Sequence, residues 1–217
     1  MSRFQLKILA IVTMLIDHIG AILFPQVVIL RMIGRLSFPI FAFLISEGMF
    51  HTSNLRKYLW RLFLFALISE VPFDLAFHGT LFYPAGQNIF FTLFLGLAAI
   101  IFLQTYLAEN SVIAIALACS MALLAEIFHT DYGWFGVAAV IIFYCFKKFR
   151  TKGVFVFSAL VAGYSLLHSS LEIFAVASGI PILLYGGEKG KLKWKYFFYA
   201  FYPVHLLLLY FVHKVVI

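Results

Sequence analysis

The sequence predicts an all-α, polytopic transmembrane helical bundle of about nine spans, with its N-terminus in the cytoplasm. Three observations lead there. The 217 residues are 64% hydrophobic and 12% charged, roughly half the charged share of a soluble domain, and mean hydropathy is +1.03. Aromatic residues reach 19%, with 27 Phe and 11 Tyr, more than a water-facing surface accommodates. Apolar runs long enough to cross a hydrocarbon layer ~30 Å thick recur along the whole chain.

The first span is expected over 6–24. The preceding MSRFQLK is basic, as before a signal peptide, but no small-residue cleavage site follows, and Asp17 and His18 interrupt the run. It reads as a retained helix. The second span, 27–50, carries Arg31 and Arg35, and the third, 58–78, carries Glu70, Pro72 and Asp74. Asn88 and Thr92 open the fourth, 88–107. The fifth and sixth, 111–128 and 133–149, are joined across HTDYG. The seventh and eighth, 153–168 and 170–185, are short and separated only by a polar LHSS, so they form a tight hairpin or a pair of partial spans. The ninth covers 196–216. No repeat, linker or low-complexity segment divides residues 1–217, which are expected to form a single integral membrane domain.

Sidedness follows from the basic residues. Arg3 and Lys7, then Arg56, Lys57 and Arg61, then Lys147, Lys148, Arg150 and Lys152, and finally Lys189, Lys191, Lys193 and Lys195 fall on one side of a nine-span arrangement. The opposite connections, HGTLFYPAGQ, HTDYG and LHSS, contain no Lys or Arg. A multi-pass protein of the cell (inner) membrane is expected. The net charge of +7 therefore reflects contact with membrane lipids and is no nucleic-acid footprint. Cys119 and Cys145 stand singly in apolar runs, without zinc or redox spacing, and no metal site is expected.

Ionisable groups at membrane depth cost several kcal/mol unless paired or hydrated, so each is a candidate for function. At 1.5 Å per helical residue, Asp17 and His18 lie roughly 16–18 Å from the cytoplasmic ends, Glu70 ~18 Å, His205 ~14 Å, Arg35 ~22 Å and Asp74 ~24 Å. Four spans thus place polar groups within a slab about 10 Å deep. Glu70 and Asp74, four apart, share a helical face, as do Arg31 and Arg35. Pro72 frees a carbonyl and suits a cavity wall. Glu126, His129, Asp131, His168 and Glu172 form an outer polar rim. The plain structural alternative pairs Arg35 with Asp17, or Arg31 with Asp74, as glue between helices. Near the inner end of the second span, Glu47 and His51 stand beside Arg56, Lys57 and Arg61. Such a basic mouth attracts anionic headgroups, and equally a phosphate-bearing donor such as coenzyme A.

The blocks MLIDHIGAILFP, LRMIGRLSFPIFAFLISEGMFHT, KYLWRLFLFALISEVPFDLAF, QNIFFTLFLG, DYGWFGVAAV and YFFYAFYPVHLLLLY together resemble the TraX family, in the same order and over nearly the whole chain. The resemblance implies transfer of an acetyl group from acetyl-CoA, because the family takes its name from a conjugation protein that acetylates pilin N-termini. It maps family-typical polar positions onto Asp17, His18, Arg35, Glu47, Glu70, Asp74, Asn88, Asp131 and His205. It leaves the acceptor open among an exported peptide, a glycan and a lipid, and it leaves the oligomeric state open.

Acyl transfer needs a base, a group that steadies the oxyanion, and two substrates in reach. His18 is expected as the base. Asp17, rotated about 100° from it on the helix, is poorly placed to orient it, so Glu70 or Asp74 is the expected orienting partner. Arg35 is expected to pair with Asp17 and face the oxyanion, with His205 as a further catalytic candidate. Spacing gives no support to a covalent acetyl-histidine relay through His205 or His18. Arg31, Asn88, Thr92 and Asp131 are expected around the acceptor. Glu47, His51, Arg56, Lys57 and Arg61 are expected around acetyl-CoA. The competing readings are a proton-coupled transporter using the same Asp, Glu and His groups, which lacks the support of an inverted repeat, and a non-catalytic assembly protein.

Overall fold

The structure is a computed structural model that describes residues 1–188 and 195–216. Lys189, Lys191 and Lys193 of the last basic cluster lie outside the described residues. Among those described, the chain forms ten α-helices and two 3-10 helices, with one isolated bridge between Gln87 and Thr130. The helices are α1 (Arg3–Ile22), α2 (Val28–Gly34), α3 (Ser37–His51), α4 (Leu55–His78), α5 (Ile89–Tyr106), α6 (Ser111–Ile127), α7 (Gly133–Cys145), α8 (Arg150–Leu167), α9 (Gly179–Leu183) and α10 (Lys195–Val216). A short 3-10 turn, Lys147–Phe149, precedes α8, and a longer 3-10 helix, Ser170–Ser178, precedes α9.

Local chemistry sets these ends. Ser2 and Gln5 form a reciprocal capping box on α1. Asn54, Asn88 and Asn110 each accept from a backbone N–H in the first turn of α4, α5 and α6. Gly79, at φ 69°, closes α4 in the left-handed conformation that glycine adopts without strain.

The expected second span divides into α2 and α3 at Arg35 and Leu36. Pro39 explains the break, because it has no N–H to offer the Arg35 carbonyl one turn earlier. The expected eighth span also differs: residues 170–178 wind as a 3-10 helix, a form uncommon at such length.

Four helical segments among the described residues are long and apolar enough to cross a membrane: Arg3–Ile22, Val28–His51, Ile89–Tyr106 and Tyr196–Val215. Of the other expected spans, Ser111–Ile127, Gly133–Cys145 and Ser170–Leu183 are shorter, α8 matches α5 in length but opens on Arg150 and Lys152, and α4 is a 24-residue helix carrying several charges. Leu6, Ile40, Leu62, Leu97, Phe135 and Phe157 are fully buried between helices. Large apolar side chains such as Trp60, Leu64, Val112 and Phe155 point outward, the arrangement lipid favours and water penalises.

α1 packs on α2, α3 and α10, while α4 packs on α5 and α10. At one end, the Met1 ammonium donates to the Leu184 carbonyl at 2.6 Å. There too, the Arg3 amide donates to the Glu188 carbonyl at 2.8 Å. At the other, the Asp131 amide donates to the Gln87 carbonyl at 2.8 Å, joining the loops that precede α5 and α7.

Candidate active site

A cavity of about 740 Å³ runs between α1, α3, α4, α5 and α10. Its lining extends from Arg3 to His18 on α1 and from Tyr58 to His78 on α4, about 22 and 30 Å of helix. One end is basic and aromatic, with Arg3, Lys7, His51, Arg61, Tyr58 and Tyr199. The other holds Asp17, His18, Arg31, Arg35, Asp131 and Tyr132. Part of each polar set that the sequence placed at different depths thus opens onto one chamber: Asp17, His18 and Arg35 of the deep set, His51 and Arg61 of the other.

Asp17 organises the far end. Arg31 donates to its Oδ2 at 2.6 Å, and Arg35 Nη2 donates to Oδ1 at 2.8 Å and Oδ2 at 2.9 Å. The second Arg35 nitrogen, Nη1, donates to Glu172 Oε1 at 2.7 Å. Two cations and two anions balance, as buried charges require. The helix break at Arg35 and the four-residue spacing let both arginines reach the same carboxylate. Gly34 lets the helices close: a Cβ there would stand 2.0 Å from Asp17 Oδ1. Pairing of Asp17 with Arg35 is as the sequence suggested, whereas the suggested Arg31–Asp74 pair does not form.

His18 lies one residue further along α1, and its Nδ1 is 2.6 Å from His205 Nε2 on α10. Phe77 and Tyr202 meet the His18 ring edge-to-face, with centroids 5.4 Å and 5.9 Å away. His18 lines the chamber, and His205 is buried behind it. The expected orienting carboxylate, Glu70 or Asp74, is not the group that meets His18.

The loop before α7 supplies Asp131 and Tyr132. Tyr132 adopts φ 64°, unusual for a bulky residue, and its ring stacks on Phe38 at 4.0 Å with the Arg35 guanidinium 5.8 Å away. The Thr92 hydroxyl donates to the Asp131 backbone carbonyl and contacts the Thr130 hydroxyl at 2.9 Å. Asp131 presents an accessible surface to the chamber. The surrounding protein disfavours its charged form and pushes its carboxyl from 3.8 to about 6, against the opposing pull of Arg35.

Other expected residues lie elsewhere. The Asn88 side chain donates to Glu70 Oε2 and to the Ala66 carbonyl, tying α5 to α4. Asp74 is fully buried, and its Oδ2 accepts from the Tyr83 amide at 2.8 Å. Glu70, Asp74, Asn88 and Thr92 therefore fasten helices and loops outside the chamber wall. Glu47 is buried beneath the basic end, where Tyr185 donates to it at 3.2 Å and Arg3 approaches within 3.9 Å. Arg56 and Lys57 are exposed on the first turn of α4 and do not line the cavity, whereas His51 and Arg61 do. Arg3 and Lys7, read from sequence only as markers of sidedness, line the basic end. Glu172, read as an outer rim residue, is buried against Arg35; its one signal was a carboxylate followed directly by the apolar stretch IFAVA.

An apolar-skinned helical bundle enclosing a charged chamber defines a helical membrane protein with an internal polar site. The chain belongs to the TraX family: the model described as TraX protein matches residues 2–213. It is 33% identical, over 96% of this chain and 94% of the other, to a protein of Dichelobacter nodosus named probable fimbrial assembly protein FimC, serogroup H1. It is 27% identical to an uncharacterized protein of Rickettsia prowazekii (strain Madrid E), over 68% of this chain and 56% of the other. No solved structure matches the chain.

Proposed function

We propose that this protein is a multi-pass inner-membrane acyltransferase, crossing about nine times from a cytoplasmic N-terminus. It moves an acetyl group from cytosolic acetyl-CoA to an amine or hydroxyl acceptor at the membrane or its external side. Family and relative favour the N-terminus of a pilin-like exported peptide over a glycan or lipid acceptor. The observation that carries this reading is the single chamber joining a basic, aromatic end to a histidine beside a charge-balanced cluster.

The basic end, with Arg3, Lys7, His51 and Arg61, suits the phosphates of coenzyme A. The length of the cavity suits its extended arm, which carries the thioester towards His18. As the acceptor nitrogen or oxygen attacks the thioester carbonyl, His18 takes the proton that it releases. When the tetrahedral intermediate collapses, the C–S bond breaks and the same proton passes to the leaving thiolate, giving the acetylated acceptor and free coenzyme A. Arg35 is held between Asp17 and Glu172, so it fixes the cluster. Arg31 holds Asp17 through one terminal nitrogen and keeps 29% of its side chain exposed, which fits it better to steady the oxyanion.

The test uses the purified protein in lipid nanodiscs, given acetyl-CoA and a pilin N-terminal peptide, with product mass as the readout. The wild type yields the acetylated peptide. His18→Ala lowers turnover by about 10²- to 10⁴-fold in a protein that still unfolds cooperatively. Wild-type turnover by His18→Ala removes this histidine from the chemistry. Solute uptake into liposomes without acyl transfer favours the transporter instead.

A further inference from the structure

We infer that His205 is the positioning residue that fixes the tautomer of His18, so that the bare Nε2 of His18 faces the chamber. This deepens the acyltransferase reading and rests on it for its catalytic consequence; the tautomer itself rests on geometry alone.

The chain of donors has one direction. His205 Nδ1 lies 2.6 Å from the Phe201 carbonyl, one turn earlier on α10. A carbonyl oxygen only accepts, so His205 carries its proton on Nδ1. Neutral His205 then has a lone pair on Nε2, and the nitrogen 2.6 Å from it, His18 Nδ1, is the donor. The neutral His18 ring is left with a lone pair on Nε2.

Ring geometry agrees. The two imidazoles are tilted by only 4° and their centroids are 4.9 Å apart. Given the 2.6 Å nitrogen contact, that separation places the rings edge to edge in one plane, as an N–H···N bond requires. Phe201 lies nearly parallel to His205, 4.8 Å away, on the helix that sets its proton.

A neutral histidine free to hold its proton on Nε2 presents a donor where a base is needed. Anchored by His205, it accepts the acceptor's proton on Nε2 and keeps its Nδ1–H bond throughout. After proton return to the thiolate, the pair is as it began. Nothing in the sequence pairs these residues, which stand 187 positions apart.

The experiment compares His205→Phe with His205→Gln, whose side-chain oxygen can accept from His18 Nδ1 near where the imidazole nitrogen stood. His205→Phe lowers kcat by about 10²-fold with KM for acetyl-CoA unchanged, and His205→Gln restores most of it. Nitrogen-15 NMR of histidine-labelled wild type in nanodiscs shows His18 protonated on Nδ1 and bare on Nε2, a state lost in His205→Phe. Equal turnover by both variants, or an Nε2-protonated His18 in the wild type, overturns the inference. If the wild type transfers no acetyl group, the acyltransferase reading fails, and the NMR spectrum alone then decides the tautomer.

Discussion

Asp17 and Glu172 form one carboxylate pair in this protein, Glu70 and Asp74 another, and they are built in opposite ways. Asp17 and Glu172 converge from α1 and the long 3-10 helix on Arg31 and Arg35, and each anion meets a guanidinium within 2.8 Å. Glu70 and Asp74 sit four residues apart on α4 and are held by neutral amides, the Asn88 side chain and the Tyr83 backbone. The first pair borders the chamber through Asp17, and the second does not. In a low-dielectric setting a paired carboxylate can stay ionised beside a reaction space, whereas one met by N–H groups serves best as a clamp between elements. The difference teaches that height along a helix does not decide whether a carboxylate borders the chamber; its counter-charge and the void beside it mark the ones that do.

The sharpest way to break this contrast is to remove Asp17. Asp17→Ala leaves Arg31 without its anion and Arg35 with Glu172 alone, and the loss of one partner from a buried pair costs about 3–5 kcal/mol. Thermal unfolding in a fixed detergent should show a large fall for this variant. A loss below about 1 kcal/mol, the range of a surface pair, would mean that water already screens the cluster.

A smaller effect is expected on the other side of the comparison. Glu70→Gln keeps an oxygen for the Asn88 amide and removes a charge that no cation within ion-pair distance balances among the described residues. Its unfolding should shift by no more than about 1 kcal/mol, the scale of one exchanged hydrogen bond. A destabilisation matching that of Asp17→Ala would erase the distinction between clamp and ion cluster.

How far the sequence reached follows the same division. Height along a helix was legible, because 1.5 Å per residue tolerates an error of one or two positions. The all-helical fold, the Asp17–Arg35 pairing and the basic end all depend on height and charge. Rotation was not legible, since a one-residue error turns a side chain by about 100°. Glu70 and Asp74 were therefore expected beside His18 but face the start of α5 and the loop before it. The His18–His205 contact depends on how α1 and α10 pack, which no local spacing encodes. Glu172 looked like a rim residue because the sequence around it read as a short α-helical span, while the 3-10 winding and the break at Arg35 bring it inward.

Asp131 joins features of both regions and gives the smallest, most discriminating test. It faces the chamber as Asp17 does, yet among the described residues its carboxylate makes no ion pair. Its carboxyl is raised from 3.8 to about 6, first because the chamber walls desolvate it even though the residue keeps an accessible surface, with Arg35 pulling the other way. A folded-state value above the unfolded one means that the fold prefers the protonated form. The stabilisation is thus full below about pH 4 and is lost as pH rises through about 6. Asp131→Asn cannot titrate, so its unfolding temperature relative to wild type should climb between pH 4 and 6 and level off above. A constant difference across that window would show that water in the chamber hydrates this carboxylate as fully as bulk solvent does, and the far end would then be an open vestibule instead of a shielded site.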